Sequence, residues 1–428
     1  MYEIKTAVNA EKGLSASGVE KTVVIKKAVD FDKIVIIQAT PICNMNCNYC
    51  YLEENDRRGK KTTVPLINEE TLRHIYRVVL TSPALKDGFN LVWHAGEPMV
   101  PGVKFYEKAF SIMQEMNIGH VPVVQEMQTN GTLITQEWAD FIKKNDINIG
   151  VSIDGPEFIH DKNRVYYNSK GSFRHVMRGI QILQQNNINF SVISVLTEES
   201  LSYPDEIMRF FLKEGIYKIG FNLEESEGAH RSQLNYKTEL TNKYRKFFSR
   251  VIEIAHELNT PFNIREVEEM RVKLKYESSN HSSNVNVPLE IVSFDYTGNV
   301  STFSPEILTM RHPKYGLLIF GNAKLMNIIE DIMNNKTFLK VNKEIQDGVE
   351  KCRFECPYFS VCGGGQPSNK LAEHGSFSAT ETVTCRLEIK ENAELMLEYL
   401  ENSDRNDTEK MITKSAEDVQ IITLKRDS

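Results

Sequence analysis

The most constraining feature of the sequence is an alternation of β-like and helical runs that begins near residue 34. Short apolar runs fit buried strands, and the longer runs between them repeat apolar residues at helical spacing. This alternation is typical of successive βα units around a parallel sheet. We therefore predict an α/β fold with six units in a partial (βα)6 barrel that is open on one side. The predicted strands are Val35–Gln38, Leu91–Trp93, Val121–Met127, Ile147–Ile153, Phe190–Leu196 and Ile216–Leu223.

Local signals also predict individual helices and one strand outside the barrel. Asn68 is placed as the N-cap of an amphipathic helix, and Ser172 is available as the cap of another helix over about 172 to 186. A strand is predicted at Thr22–Ile25 and a helix over 386 to 402, followed by a polar tail that we expect to be partly mobile.

Three cysteines, Cys43, Cys47 and Cys50, follow the first predicted strand with three and then two residues between them. Three thiolates can hold three irons of a four-iron, four-sulfur cluster and leave the fourth iron open to a small molecule. A closed zinc site would need a fourth ligand, and the next histidine is His74. We recognise neither a signal peptide nor an apolar run long enough to cross a membrane, which disfavours a disulfide. The spacing therefore favours the cluster.

This C-x3-C-x2-C run, with the aromatic Tyr49 before its third cysteine, resembles the signature of the radical S-adenosylmethionine (radical SAM) enzymes. The resemblance implies a [4Fe-4S] cluster on the three cysteines, with its open iron chelated by S-adenosylmethionine. It also implies reductive cleavage of that cofactor to a 5′-deoxyadenosyl radical, which takes hydrogen from an unactivated carbon.

The segment His94–Pro98 follows the second predicted strand and resembles the glycine-glycine-glutamate-proline motif of this superfamily, with Ala95 in place of the commoner glycine. Gly96 permits close backbone approach, and Glu97 can accept a hydrogen bond from the amino group of the cofactor. We expect His94 to be structural. The cofactor-binding residues that the resemblance implies are Tyr49, Gly96, Glu97, Pro98, Asn130, Ser152, Asp154 and Arg164.

The contacts assigned to later strands also have simpler interpretations. Asn130 and Asp154 each precede a glycine, and these dipeptides are common in ordinary turns. Arg164 can neutralise the cofactor carboxylate, but it can equally be a solvated loop charge. These alternatives stay open at the level of the sequence.

Four more cysteines lie late in the chain. They are Cys352, Cys356, Cys362 and Cys385. Four thiolates make a fully ligated cluster that suits electron transfer, although they also satisfy tetrahedral zinc. The arrangement resembles a reduced SPASM-type domain, since a full one has further cysteines where this chain has Gly363–Gln366 and Phe294–Glu306. The resemblance implies that one auxiliary cluster has been lost and one [4Fe-4S] cluster retained.

Three late segments, Thr302–Glu306, Cys362–Gly365 and Ala379–Cys385, resemble those of cyclophane-forming peptide maturases of the Grr and Xye types. Such enzymes join an aromatic ring carbon to the β-carbon of a residue two positions later in a ribosomal precursor peptide. The resemblance thus implies an oxidoreductase that acts on a precursor peptide and receives electrons from a flavodoxin- or ferredoxin-type donor. The candidate bases for the ring proton are Asp295, Glu306 and Glu224, which can equally be solvated or peptide-binding acids.

Two other functions are alternatives to the cyclophane assignment. The first is another SPASM-type peptide modification, either a thioether crosslink or sulfatase maturation. In sulfatase-maturing relatives an aspartate base follows an upstream cluster cysteine, and the corresponding pair here is Phe303 and Ser304, which argues against that activity. The second is a non-catalytic iron–sulfur electron carrier, which leaves Glu97, Asn130 and Ser152 without a role.

Length and charge limit the remaining possibilities. The chain of 428 residues exceeds the size at which one core keeps growing, so we expect two domains. The net charge of −7, without a basic stripe, predicts no nucleic-acid partner, and we expect no membrane partner. Seven cysteines suit a reducing cytoplasm. The predicted segments are an N-terminal strand segment (1–33), the radical SAM barrel (34–235), a helical bridge (236–292), a SPASM-like auxiliary cluster domain (293–390), and a C-terminal helix and tail (391–428).

Overall fold

The computed structural model describes residues 2–7, 21–27, 31–59, 65–234, 237–257, 262–275, 283–402 and 421–424. The strands are β1 (Tyr2–Ala7), β2 (Lys21–Lys27), β3 (Ile34–Ile37), β4 (Phe89–Trp93), β5 (Val123–Thr129), β6 (Asn148–Ser152), β7 (Phe190–Leu196), β8 (Lys218–Leu223), β9 (Asn263–Ile264), β10 (Ile291–Phe294), β11 (Asn299–Thr302), β12 (Arg311–His312), β13 (Gly316–Leu317), β14 (Gly321–Asn322) and β15 (Ile421–Leu424).

The helices connect and cover these strands. They are α1 (Glu54–Arg58), α2 (Glu69–Thr81), α3 (Val103–Met116), α4 (Gln136–Lys144), α5 (Glu157–Asn163), α6 (Phe173–Gln185), α7 (Pro204–Lys213), α8 (Thr238–Glu257), α9 (Arg265–Lys275), α10 (Pro305–Thr309), α11 (Lys336–Glu355), α12 (Phe359–Cys362), α13 (Pro367–His374) and α14 (Asn392–Asn402). None of the described helices is both long enough and apolar enough to span a membrane.

The main sheet has the strand order β14-β11-β10-β3-β4-β5-β6-β7-β8-β9. Its central six strands, β3 to β8, are parallel and follow one another in chain order, as expected for six βα units. The two ends of the sheet do not pair with each other within the described residues, so the barrel is open. The predicted six-unit partial barrel is therefore confirmed.

The helices of the barrel form where apolar residues recur on one face. In α2, Leu72, Ile75 and Val79 are buried against the sheet, and Asn68 accepts a hydrogen bond from the Thr71 backbone as the predicted cap. The prediction that Ser172 caps a helix is wrong. The residue directly precedes α6, but its hydroxyl makes no capping hydrogen bond, because it donates to the Arg164 carbonyl and pairs with His160 instead.

The sheet continues beyond the barrel into the later part of the chain. Strand β10 pairs in parallel with β3, and β11 and β14 extend that edge in antiparallel fashion. The predicted boundary at residue 292 falls within β10, and the division into domains stays a prediction. Towards the C-terminus, the expected helix over 386 to 402 begins as a π-helical segment, Cys385–Glu391, and continues as α14.

A separate small antiparallel sheet has the order β1-β2-β15, and the predicted strand at Thr22–Ile25 lies within β2. Part of the predicted helical bridge, residues 276–282, lies outside the described part of the chain. The described residues after it include a short 3-10 turn, Asn284–Asn286. The tail that we expected to be mobile, after residue 402, lies outside the described residues except for β15.

Candidate active site

The three-cysteine loop leaves the carboxyl end of β3 and is held at several points along the chain. The Cys43 amide donates to the Arg57 carbonyl at 2.9 Å, and the buried Arg57 side chain returns to the loop by donating to the Leu52 carbonyl at 3.0 Å. Further along, the Asn46 amide donates to the Val165 carbonyl at 2.7 Å. These contacts fix the loop that carries all three thiols.

The three cysteines on this loop are half-buried. Burial raises the pKa of Cys47 to about 11. Burial, and after it the Glu97 carboxylate, raise the pKa of Cys43 further. Thiols of this kind are neutral near pH 7, so iron binding must release their protons. Three thiols on one fixed loop suit a cluster held through three of its irons.

The turn after β4 packs directly on the cysteine loop. Ala95 and Gly96 both adopt left-handed backbone conformations, with φ of +68° and +69°. A Cβ atom on Gly96 would lie 2.3 Å from the Thr40 carbonyl oxygen. The next residue, Glu97, donates its amide to the Ile42 carbonyl at 2.8 Å. Glycine at position 96 therefore allows the two loops to meet.

Glu97 is a buried carboxylate that is held only by neutral donors. It accepts hydrogen bonds from the Thr129 hydroxyl at 2.7 Å, the Asn130 amide at 2.8 Å and the Met99 amide at 2.9 Å. Burial raises its pKa. Within the described residues no cationic side chain pairs with it, so an ammonium group from a ligand would find a fixed and uncompensated acceptor.

The polar side chains after β5 and β6 contact the protein itself. The Asn130 side-chain amide donates to the Asn44 side chain on the cysteine loop at 2.8 Å and lies 3.8 Å from the Cys43 sulfur. Ser152 accepts a hydrogen bond from Gln128 at 2.9 Å. Asn130 therefore reaches the three-cysteine loop, whereas Ser152 lies on the neighbouring strand β6 and bonds to β5.

Asp154, Arg164 and Tyr49 form one buried network behind the cysteine loop. The Asp154 carboxylate accepts from the Arg164 guanidinium at 2.9 Å, from the Val195 amide at 3.0 Å and from the Tyr49 hydroxyl. The guanidinium carbon also lies 5.3 Å from the centre of the Tyr49 ring. The charge of Arg164 opposes the burial that raises the pKa of Cys47. This network anchors the loop and places a positive charge close to its middle cysteine.

The late cysteines come together around the ends of α11, α12 and the π-helical segment. Cys352 is in the last turn of α11, Cys362 ends α12, and Cys385 begins the π-helix. A hydrogen bond from Cys385 lowers the pKa of Cys362 to about 6, and the Gly365 amide donates to the Cys362 sulfur at 3.1 Å. Across the described ranges, no three His, Cys, Asp or Glu side chains converge on a single-ion site. A four-iron cluster instead spreads its thiolates over separate irons.

A family model described as the radical SAM superfamily matches residues 37–211. An uncharacterized protein of Synechocystis sp. is 41% identical over 374 residues, which are 86% of this chain and 92% of that protein. The chain belongs to the radical SAM superfamily. It is therefore an enzyme whose cofactors are S-adenosylmethionine and a [4Fe-4S] cluster.

Better-described proteins resemble this radical SAM enzyme over most of its length. The cysteine-type anaerobic sulfatase-maturating enzyme of Clostridium perfringens (strain 13 / Type A) is 26% identical over 348 residues, 78% of this chain and 88% of that enzyme. Native anSMEcpe with bound AdoMet has a TM-score of 0.71 at 20% identity, covering 88% of this chain and 99% of that one. Streptococcus suis SuiB bound to precursor peptide SuiA has a TM-score of 0.58 at 14% identity, covering 84% and 77%. The two structures share the fold, which confirms the predicted fold class.

The loop after β8 brings a group of carboxyl side chains to the same end of the radical SAM barrel. Glu225 accepts a hydrogen bond from Asn369 at 3.0 Å, and Glu227 accepts one from Ser368 at 3.1 Å. Both partners lie on α13, so this loop joins the barrel to the segment that carries the late cysteines. Burial raises the pKa of Glu225 to about 7 and that of Glu227 well above its usual value.

Glu306 belongs to this group, and the other two candidate bases do not. Its carboxylate acts electrostatically on Glu225 and Glu227, and burial raises its own pKa. Glu224 pairs instead with His230 at 2.9 Å. Asp295 is occupied by its own turn, where it accepts from Thr297 and Asn299. The sequence pointed to Glu224 in this loop, but the pairing of Glu225 and Glu227 with α13 has no local signal.

A cavity of about 900 Å³ opens between the cysteine loop and the C-terminal part of the chain. Tyr51, which directly follows Cys50, lies on its wall, as do Gly228, Asp295 and Leu371. Burial, and after it the Glu306 carboxylate, raise the pKa of Tyr51. The cavity therefore lies beside the three-cysteine loop, and Gly228 and Leu308 of its wall are close in sequence to Glu227 and Glu306.

Proposed function

We propose that this radical SAM enzyme oxidises a ribosomal precursor peptide and joins an aromatic ring carbon to a nearby β-carbon, forming a cyclophane. The observation that carries the proposal is the position of Glu225, Glu227 and Glu306. They lie close together where the loop after β8 meets α13, and their neighbours in the chain, Gly228 and Leu308, line the cavity beside the three-cysteine loop. An oxidative crosslink needs such an arrangement, because it must remove hydrogen, a proton and an electron from one substrate.

The overall reaction removes one hydrogen atom, one proton and one electron from the peptide. The cluster and S-adenosylmethionine together supply the 5′-deoxyadenosyl radical. One hydrogen atom leaves the β-carbon, the new carbon–carbon bond forms, and the ring then loses one proton and one electron. Glu306 accepts the proton, and its raised pKa makes it a stronger base than an exposed carboxylate. Its neighbours Glu225 and Glu227 share protons, since closely spaced carboxyl groups do not all ionise near neutral pH.

The contacts of Glu97 and Asn130 support their assignment to cofactor binding. Glu97 offers a fixed buried carboxylate to the amino group of the cofactor. Asn130 connects the loop after β5 to the cysteine loop. Arg164, Asp154 and Tyr49 together support the cysteine loop. The proposed cofactor pocket is completed by Ser152 and by the backbone of Gly96 and Pro98.

Cys352, Cys356, Cys362 and Cys385 would hold an auxiliary [4Fe-4S] cluster, which would supply an acceptor for the ring electron. The donor set of four thiols around the ends of three helical segments supports this assignment. The electron that starts each turnover comes from a flavodoxin- or ferredoxin-type protein. The division of the chain into a radical SAM barrel and an auxiliary cluster domain is part of the same proposal.

Phe303 supports the loss of the second auxiliary cluster. Its ring is fully buried and stacks on the ring of Phe338 with centroids 6.1 Å apart and planes within 9°. The backbone of Phe303 has a φ of +86°, which is unusual for a large side chain. An aromatic core thus occupies the position where a full SPASM domain is expected to carry a cluster cysteine.

Sulfatase maturation is the second candidate function, and the sulfatase-maturating relatives favour it. The 26% identity over 348 residues extends well beyond the cysteine loop. Against it stands Ser304, whose buried hydroxyl occupies the position where the aspartate base of such enzymes is expected. A thioether crosslink would begin with the same hydrogen abstraction as the cyclophane crosslink. The two reactions differ in the atom that traps the carbon radical.

The first experiment tests the cofactors. The protein is reconstituted anaerobically with iron and sulfide, reduced with S-adenosylmethionine, and assayed for 5′-deoxyadenosine beside the Cys43/Cys47/Cys50→Ala variant. We expect about eight irons per chain and cofactor cleavage that the variant lacks. About four irons in the wild type with intact cleavage would instead favour zinc at the late cysteines.

The second experiment tests the product, with a synthetic peptide that carries aromatic-x-polar triplets and a sulfatase-type peptide as substrates. A cyclophane peptide loses two hydrogens and resists fragmentation between the joined residues, whereas sulfatase maturation yields an aldehyde that reacts with a hydrazide. Glu306→Gln should retain deoxyadenosine formation and lose crosslinked product by about 10²-fold or more. Glu224→Gln, whose parent carboxylate pairs with His230, is the matched control and should resemble the wild type. An aldehyde product would refute the cyclophane assignment.

A further inference from the structure

Lys370 is a buried lysine whose charge the proposed reaction has not used. It lies in α13 with only 2% of its surface exposed. Its ammonium donates to the Cys352 sulfur at 3.5 Å, and among the described residues no carboxylate pairs with it. Lysine is among the residues least often buried, and a buried ammonium without a carboxylate partner is unfavourable unless another negative group compensates it.

Two glycines make room for this side chain. Gly348 lies inside α11, one turn before Cys352, and a Cβ atom there would lie 3.4 Å from the Lys370 ammonium and 2.5 Å from the Phe377 carbonyl oxygen. A Cβ atom on Gly365, whose φ is +73°, would lie 3.4 Å from the Lys370 Cε. Glycine weakens a helix interior, so its presence in α11 is consistent with the close approach of Lys370 and the backbone at Phe377.

The surroundings of Lys370 differ from those of the other lysine near the late cysteines. Lys390 is paired with Glu381 at 2.6 Å, which offsets its charge. Lys370 faces sulfur instead. At 3.5 Å from the Cys352 sulfur, the Lys370 ammonium favours negative charge at this ligand position.

We propose that Lys370 sets the reduction potential of the auxiliary cluster, by holding a positive charge against Cys352. The inference rests on the proposed function, because it assumes an iron–sulfur cluster on the late cysteines. Reduction adds one negative charge to such a cluster, and a nearby ammonium in a poorly solvated site stabilises the reduced form. The potential is thereby raised, which favours transfer of the electron from the crosslinked ring to the auxiliary cluster.

The test measures the potential directly, in the absence of substrate. All proteins carry the Cys43/Cys47/Cys50→Ala substitutions, so that the auxiliary site alone binds a cluster. They are reconstituted anaerobically, counted for iron, and titrated with dithionite while the electron paramagnetic resonance signal of the reduced cluster is followed. The variants are Lys370→Met and Lys370→Gln, which remove the charge, and Lys370→Arg, which keeps it. The control is Lys351→Met, which removes an exposed charge next to Cys352 in sequence.

The expected result is that both neutral variants are at least tenfold harder to reduce. For one electron this is a fall of 59 mV or more in the midpoint potential. Lys370→Arg and Lys351→Met should stay close to the parent. Equal potentials in all proteins, or neutral variants that bind no iron while the arginine variant does, would overturn the inference in favour of a purely structural role. A parent protein that binds zinc and no iron would instead overturn the auxiliary cluster itself.

Discussion

Replacing Ala95 with glycine is expected to stabilise the protein, whereas replacing Gly96 with alanine is expected to destabilise it. Both residues have left-handed backbones, with φ of +68° and +69°. They differ in surroundings, because a Cβ atom on Gly96 would meet the Thr40 carbonyl oxygen at 2.3 Å. The two neighbouring exchanges therefore separate backbone strain from steric overlap in the turn that packs on the cysteine loop.

The magnitudes follow from these two terms. An L-residue in the left-handed region costs about 1–2 kcal/mol, and glycine loses about 0.5–1 kcal/mol more chain entropy than alanine on folding. Ala95→Gly should therefore stabilise the protein by about 0.5–1 kcal/mol. Gly96→Ala adds the same net strain of about 0.5–1 kcal/mol and an overlap that costs a further 1–3 kcal/mol or so. We expect a total loss of about 1.5–4 kcal/mol.

A third exchange isolates the strain. Gly102 has a φ of +80°, but a Cβ atom there would meet nothing within 4 Å, so Gly102→Ala should cost only about 0.5–1 kcal/mol. Anaerobic urea unfolding measures all three variants, and the fluorescence of Trp93 at the end of β4 reports on this region. The reasoning is refuted if Ala95→Gly destabilises the protein, or if Gly96→Ala costs no more than Gly102→Ala.

Two further predictions concern buried charge. Asp154→Asn leaves the Arg164 guanidinium buried without its carboxylate and should lower the free energy of unfolding in urea by about 3–5 kcal/mol. Glu157→Gln, at the exposed pair with Arg174, should lower it by less than about 1 kcal/mol. Equal losses in the two variants would contradict this prediction. Folding raises the pKa of Glu225 from 4.5 to about 7. Between these two pH values the native state binds more protons than the unfolded state, so the free energy of unfolding falls as the pH rises towards and through 7. Glu225→Gln should exceed the wild type in stability by up to about 3 kcal/mol at pH 8 and match it below pH 4.5, and the opposite pH trend would disprove the assignment.

The barrel could be predicted because its signals are local. Apolar runs mark each of the strands β3 to β8, and the cap at Asn68 needs only the three residues that follow it. Ser172 shows the limit of such reasoning. The same hydroxyl that suits a helix cap is also a good partner for a buried histidine, and only the tertiary fold brings His160 to it.

The site was predictable as a set of loops but not as a set of contacts. The motifs point to Tyr49 and Asp154 separately, and their mutual hydrogen bond joins residues 105 positions apart. The same holds for Glu227 with Ser368, which are 141 positions apart. Lys370 carries no motif, because its importance comes from burial against Cys352, which no local pattern encodes.

The pairing of β10 with β3 limits how this enzyme can be taken apart. The strand next to the three-cysteine loop is hydrogen-bonded on both sides, to β4 within the barrel and to β10 from the later part of the chain. A barrel cut off before residue 291 would expose an apolar edge, Val35 to Ile37, of the kind that promotes aggregation. The two cysteine regions are thus joined by one continuous sheet, and a late-cysteine region transplanted to another barrel would have to bring its own pairing strand.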